Sequence, residues 1–242
     1  MNEELKTNLT KIKEDFVPEV KKTFGDALKA VILYGSAARG TYVHGSSDIN
    51  LLIIIREPDP EKIIALGSDQ AKLIKKHHIS IHILSEGESI RWADLLPMEY
   101  LDILEIGQTL YGENTAERLT ITKKNLRHQV EERLRGNINA LRQALIASRG
   151  SSRLLSQLLR ESYGALTAPL RGLLRLKETE SGGLGEMELL DRIKEVYELD
   201  TKPLKEIYTF REGGRTDAKR LAVNVVTFLT ALVRKVDEME VE

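Results

Sequence analysis

The sequence predicts an α/β (α+β) fold in which a small mixed-sheet module, residues 1–114, is followed by an all-α helical bundle, residues 115–242. Three observations predict it. The first part alternates helix-like segments with short β-branched runs bounded by Gly, Ser and Pro. The second part carries apolar residues at steps of three and four and no convincing strand. The charge balance also changes, from −5 over residues 1–114 to +4 over the remainder.

The elements follow in order along the chain. Met1 to Lys13 is charged and lacks the apolar stretch of a signal peptide, so it is read as a mature start and the expected location is cytoplasmic. Lys29 to Gly35 (KAVILYG) and Asp48 to Arg56 (DINLLIIIR) read as strands, and His78 to Leu84 (HISIHIL) alternates with period two. Between the second and third strands, Ile63, Ile64, Leu66, Ala71, Leu73 and Ile74 stand among charges, which predicts a sheet-packed helix over Asp59 to Lys76. Ile103 to Glu113 closes the module, with the boundary expected near Gly112 to Ala116.

Beyond it, Leu126, Val130, Leu134, Ile138, Leu141 and Leu145 mark one face of a long helix. A second helix is expected from Arg153 to Lys177, bent at Pro169, which cannot donate a backbone hydrogen bond. Ser181 to Gly185 (SGGLG) lacks the GK[ST] ending of a P-loop and is read as a flexible connector. The last helix, Asp217 to Val236, is apolar on most sides, as a central bundle helix is.

Composition narrows the function classes. The chain has 242 residues, 41% of them hydrophobic, enough for a substantial core. Its 36 Lys and Arg against 37 Asp and Glu argue against a general nucleic-acid binder, whose footprint is a large basic excess. The absence of Cys excludes disulfides, thiolate metal sites and cysteine nucleophiles. Leu51 to Ile55 and Leu221 to Val233 are too short to span a bilayer, so no membrane partner is expected.

Chemistry concentrates in Val31 to Ile54, VILYGSAARGTYVHGSSDINLLII. A Gly-Ser turn follows one strand directly, and an acidic residue opens the next. Gly35 lets the backbone turn sharply, and Ser36 then offers its hydroxyl and amide to an anion such as phosphate. Asp48 and Asn50 lie two residues apart on a strand, so both leave one face of the sheet. Two oxygen ligands there suit a hard cation such as Mg²⁺, which completes its shell with water and substrate phosphates.

Here the sequence resembles the DNA polymerase beta-type nucleotidyltransferase superfamily, especially its kanamycin nucleotidyltransferase-like and minimal members. Gly35, Ser36, Arg39, Gly40, Ser47 and Asp48 stand where the strand-Gly-Ser-helix-strand-Asp-x-Asp signature expects them. The resemblance covers residues 1–114 by motif and the rest by architecture. It implies Mg²⁺ and a nucleoside triphosphate, with ATP the first candidate. Gly35, Ser36, Arg39 and Ser47 would bind nucleotide or phosphate, and Asp48 with Asn50 would hold the metal.

The motif is also degenerate. Active members use three carboxylates, two from Asp-x-Asp and one from a later strand. Here the second is Asn50, and the face of the third strand offers Ser80 and His82. The candidate catalytic residues are therefore Asp48, Asn50 and His82, with His82 as the nearest thing to a base. Tyr34, Tyr42 and Trp92 read as packing residues, and Glu99 with Asp102 as one solvated helix face.

Two functions follow from the resemblance. One is transfer of a nucleoside monophosphate from a Mg-bound triphosphate to a hydroxyl on a small molecule or protein. The other is a catalytically degenerate nucleotide-binding, regulatory or protein-interaction module, an antitoxin-like role included. A homodimer completing the pocket is compatible with either.

Overall fold

The computed structural model describes residues 3–43, 47–114, 120–177 and 179–239. The chain divides into two compact units, residues 1–121 and 122–242. The boundary expected at 112–116 runs into residues 115–119, which lie outside the described residues.

The first unit is built on a four-stranded mixed sheet. Its strands are β1 (Leu28–Tyr34), β2 (Ile49–Ile55), β3 (Ile79–Ser85) and β4 (Gln108–Gly112), in the spatial order β3-β2-β1-β4. β1 runs antiparallel to β2 and β4, and β2 runs parallel to β3. The three strands read from β-branched runs thus lie side by side, joined by one from the closing segment.

Alternation along β1 and β2 sorts their residues to two faces. Val31, Leu33, Leu51, Ile53 and Ile55 bury one face under α1 (Glu3–Lys11), a π-helical turn (Ile12–Phe16), α2 (Val17–Phe24) and α4 (Pro60–Asp69). Leu5, Leu9, Ile12, Phe16, Val20 and Phe24, at steps of three and four, form the stripe that covers it. Ala30, Ile32, Tyr34, Leu52 and Ile54 bury the other face under α6 (Glu86–Leu95) and α7 (Pro97–Ile106).

The helix expected over Asp59 to Lys76 is two helices, α4 and α5 (Ala71–Lys76), separated at Gln70. Gly67, Ser68 and Asp69 are poor helix formers, which explains the interruption. Asp59 caps α4, its carboxylate accepting from the amides of Glu61 and Lys62 at 3.1 and 3.3 Å. A five-residue helix, α3 (Gly35–Arg39), follows β1 without a break.

All regular elements described in the second unit are helices: α8 (Lys123–Ala147), α9 (Ser152–Leu176), α10 (Glu186–Tyr197), α11 (Lys202–Arg211) and α12 (Ala218–Asp237). α9 packs against the other four. The sequence reading assigned no helix to α10 or α11, although Leu189, Leu190, Ile193 and Tyr197 bury one face of α10. No helix among the described residues is long and apolar enough to cross a membrane.

Polar side chains hold two places in this unit, and at the second the expectation of a flexible connector is corrected. α9 is assigned as a helix continuously through Pro169. Proline leaves the carbonyl four residues earlier without its helical donor, and that carbonyl, Ala165 O, accepts from the Asn137 side chain on α8 at 3.0 Å. The Ser181–Gly185 segment is strapped down rather than loose. Arg171, only 2% exposed, donates to the carbonyls of Ser181 and Leu184, while the Ser181 hydroxyl donates to Arg171 O at 3.3 Å. A buried guanidinium must find acceptors, and this segment supplies them.

Replacing Asn137 by Ala is expected to cost about 1 kcal/mol of stability, the net worth of one hydrogen bond. In a Pro169→Ala background, where an amide again faces Ala165 O, the same change should cost less than half as much. Denaturant unfolding of the four variants checks this.

Candidate functional site

One end of the sheet gathers the C-terminus of β1 and the N-termini of β2 and β3. The register places Tyr34, Asn50 and Ser80 in one row across the three strands, with Ile32, Leu52 and His82 in the next. Because paired residues share a face, Asn50, Ser80 and His82 all lie on the α6–α7 side. Asp48, two residues before Asn50, stands exposed just outside β2.

The turn from β1 into α3 rests on Gly35, whose φ is +73°, in the left-handed region. A Cβ there would come within 2.7 Å of the Asn50 side-chain nitrogen. The amide end of Asn50 therefore occupies the space that a side chain at 35 would need. Ser36 follows at the start of α3, half-buried, and its carbonyl accepts from the amide of Thr41 at 3.0 Å. Gly40, with φ of +83°, closes α3.

Ser47 shapes the approach to Asp48. Its hydroxyl accepts from the amide of Val43 at 3.1 Å, and its own amide donates to Val43 O at 2.9 Å. Arg39, at the end of α3, is engaged by α7. Its guanidinium meets the carboxylate of Asp102 on α7 at 2.7 Å, with the two side chains 7% and 16% exposed. Asp102 is thus part of a buried ion pair, not of a solvated helix face. Removing one partner of a buried pair is costly, about 3–5 kcal/mol where nothing else compensates the remaining charge.

His82 sits behind the first row. The Tyr34 hydroxyl lies 3.3 Å from its Nδ1, and Trp92 presents an edge-on ring 6.4 Å from its centroid. Burial pushes the Tyr34 phenol far above its usual range, and the charges of Glu99 and Asp102 push it further. The phenol therefore keeps its proton and shares one hydrogen bond with Nδ1. Tyr34, read as packing from the sequence, is also hydrogen-bonded to the candidate base. His78, which sequence reasoning passed over, also belongs to this end. It precedes β3 with φ of +48°, and its carbonyl accepts from the amide of Ile49 at 2.9 Å.

The donor set decides what metal could be held. Magnesium is bound through one or two carboxylates together with water and substrate phosphates. Asp48 supplies one carboxylate and Asn50 an uncharged carbonyl oxygen. Among the described residues no cluster of three or more His, Asp or Glu gathers to hold an ion. The set fits one magnesium ion shared with a triphosphate and does not fit a pair of ions.

The chain is similar to known proteins over this unit. The nucleotidyltransferase domain family matches residues 13–108. MJ0604, a candidate protein adenylyltransferase of Methanocaldococcus jannaschii, is 32% identical over 111 residues, 46% of this chain and the whole of that protein. MJ1305, a second candidate protein adenylyltransferase of the same organism, is 42% identical over 55 residues, 23% of this chain and 37% of its own. Among solved structures, the spectinomycin adenyltransferase AAD(9) of Enterococcus faecialis, with ATP and spectinomycin, superposes with a TM-score of 0.55 at 13% identity. It covers 98% of this chain and 100% of its own, a likeness of fold.

Gly35→Ala should destabilise the protein by more than the ~1–2 kcal/mol that a left-handed backbone costs a residue with a Cβ, because it also displaces the Asn50 amide. Combining it with Asn50→Ala removes the clash and leaves the backbone cost, so the double variant should melt above the Gly35→Ala single. Thermal unfolding of the three variants checks this.

Proposed function

Because the chain belongs to the DNA polymerase beta-type nucleotidyltransferase superfamily, we propose that its first unit binds a nucleoside triphosphate, ATP foremost, as a single-magnesium complex without carrying out two-ion nucleotidyl transfer. The single observation behind this reading is the face formed by Asp48, Asn50, Ser80 and His82, which brings one carboxylate to the end of the sheet. Gly35 makes the turn, Ser36 offers its hydroxyl and amide to phosphate oxygens, and Ser47 sets the backbone that presents Asp48. Asp48, together with the Asn50 carbonyl oxygen, would hold a magnesium ion, which would supply neutralisation of the phosphate charge.

What is missing sets the limit. Two-ion transfer needs carboxylates enough to clamp both ions, which activate the attacking oxygen and stabilise the leaving group. Asn50 and Ser80 carry no charge. His82 is no carboxylate, and its Nδ1 shares a hydrogen bond with the Tyr34 hydroxyl at 3.3 Å. The protein is then a nucleotide-responsive module, and fold alone does not make it an enzyme.

A second reading is favoured by the likeness to MJ0604 over that protein's whole length. It is transfer of AMP to a hydroxyl of a protein acceptor, with Asp48 holding the metal and His82 as base.

Calorimetric titration with ATP, with and without Mg²⁺, separates the possibilities. The native protein should bind more tightly with Mg²⁺, and Asp48→Ala should lose that gain, about tenfold or ~1.4 kcal/mol. Asn50→Asp should enlarge it. Incubation with α-labelled ATP should leave protein and candidate acceptors unlabelled. Label that appears in the native protein's reaction and vanishes with Asp48→Ala would establish the second reading. Binding indifferent to both Mg²⁺ and Asp48 would contradict both.

A further inference from the structure

The helix that follows the Gly35–Ser36 turn is too short to hold itself. α3 has five residues, and a single turn of helix is not stable without tertiary support. Two side chains from later in the chain supply that support. Asp102 on α7 takes the Arg39 guanidinium at 2.7 Å, and Gln108, at the start of β4, donates its side-chain amide to Ala38 O at 3.2 Å. Both contacts act on the last two residues of α3, opposite the end at which the turn lies.

The motif position of Arg39 suggests a phosphate ligand, but its surroundings point to another role. The side chain is 7% exposed, and its partner Asp102 is 16% exposed. To move to a phosphate at the Gly35–Ser36 turn, Arg39 would have to give up its 2.7 Å pairing with a nearly buried carboxylate. Glu99, three residues before Asp102 on α7, adds negative charge to the same surroundings, as its effect on the Tyr34 phenol shows. A cation is therefore held here whether or not nucleotide is present.

We propose that Arg39 and Asp102 are positioning residues: their ion pair fastens α3 to α7 and so fixes the Gly35–Ser36 turn for phosphate, and Arg39 does not itself touch the nucleotide. The proposal rests on the nucleotide-binding reading above, and deepens it by adding α7 to the parts on which affinity depends.

A double-mutant cycle tests it, with Arg39→Met, Asp102→Asn and the double variant titrated with Mg-ATP. Each single change should weaken binding about tenfold, and the double should be no weaker than the worse single, as expected for two residues acting as one unit. The ratio of affinities with and without Mg²⁺ should stay as in the native protein, because Asp48 is untouched. Arg39→Lys, which keeps the charge, should recover part of the loss and serves if either single variant fails to fold. An Asp102→Asn protein that binds as well as native or better, beside an Arg39→Met protein that binds worse, would make Arg39 a phosphate ligand and overturn the proposal. Unchanged affinity in every variant would overturn it equally.

Hydrogen exchange in nucleotide-free protein reads the tether by itself. The amides of Gly40 and Thr41, bonded to Ala37 O and Ser36 O, should exchange faster in both single variants. If native protein binds no nucleotide, the functional reading fails while this exchange still reports on the tether.

Discussion

The absence of a side chain at residue 35 is the constraint on which the site depends. With φ of +73° and the Asn50 amide filling the adjacent space, Gly35 lets β1 end and α3 begin within one residue. That places Ser36 directly beyond the sheet edge where β2 and β3 begin. The antiparallel and parallel pairings then carry Tyr34, Asn50 and Ser80 into one row, so three strands distant in sequence present their polar residues together. Between Ala30 and Leu33 on β1 and between Leu51 and Ile55 on β2 the sheet is apolar on both faces.

Charge decides what such a place can do. A triphosphate brings several negative charges, and a protein that stabilises them needs cations or donors more than extra acids. One carboxylate suffices to hold one magnesium ion against the phosphates, whereas additional ions need additional carboxylates. The arrangement here has spent its polar side chains differently. Asn50 packs over Gly35, Tyr34 and His82 bond to each other under Trp92, and Asp102 is committed to Arg39. Each commitment stabilises the fold around the turn.

Much of this was legible in the sequence because it is local. β-branched runs between turn residues marked β1, β2 and β3, and two-residue spacing put Asp48 and Asn50 on one face. What was hidden depends on pairings across long stretches of chain. Tyr34 meets His82, and Arg39 meets Asp102, 48 and 63 residues apart, and neither partner has a local signature. The bundle repeats the lesson. Pro169 signals a break, yet a side chain on the neighbouring helix satisfies the orphaned carbonyl, and the Gly-rich segment after α9 is pinned by a buried arginine. α10 was missed although its apolar spacing was present, because its twelve residues follow a run of glycines that reads as a loop.

The most direct test of the account is to assign the backbone amide resonances and add Mg-ATP to the native protein. The account predicts that the largest shifts fall on Gly35, Ser36 and Asp48, with smaller ones at Ser80 and along α3. Shifts confined to residues 122–242, or none at saturating nucleotide, would contradict it.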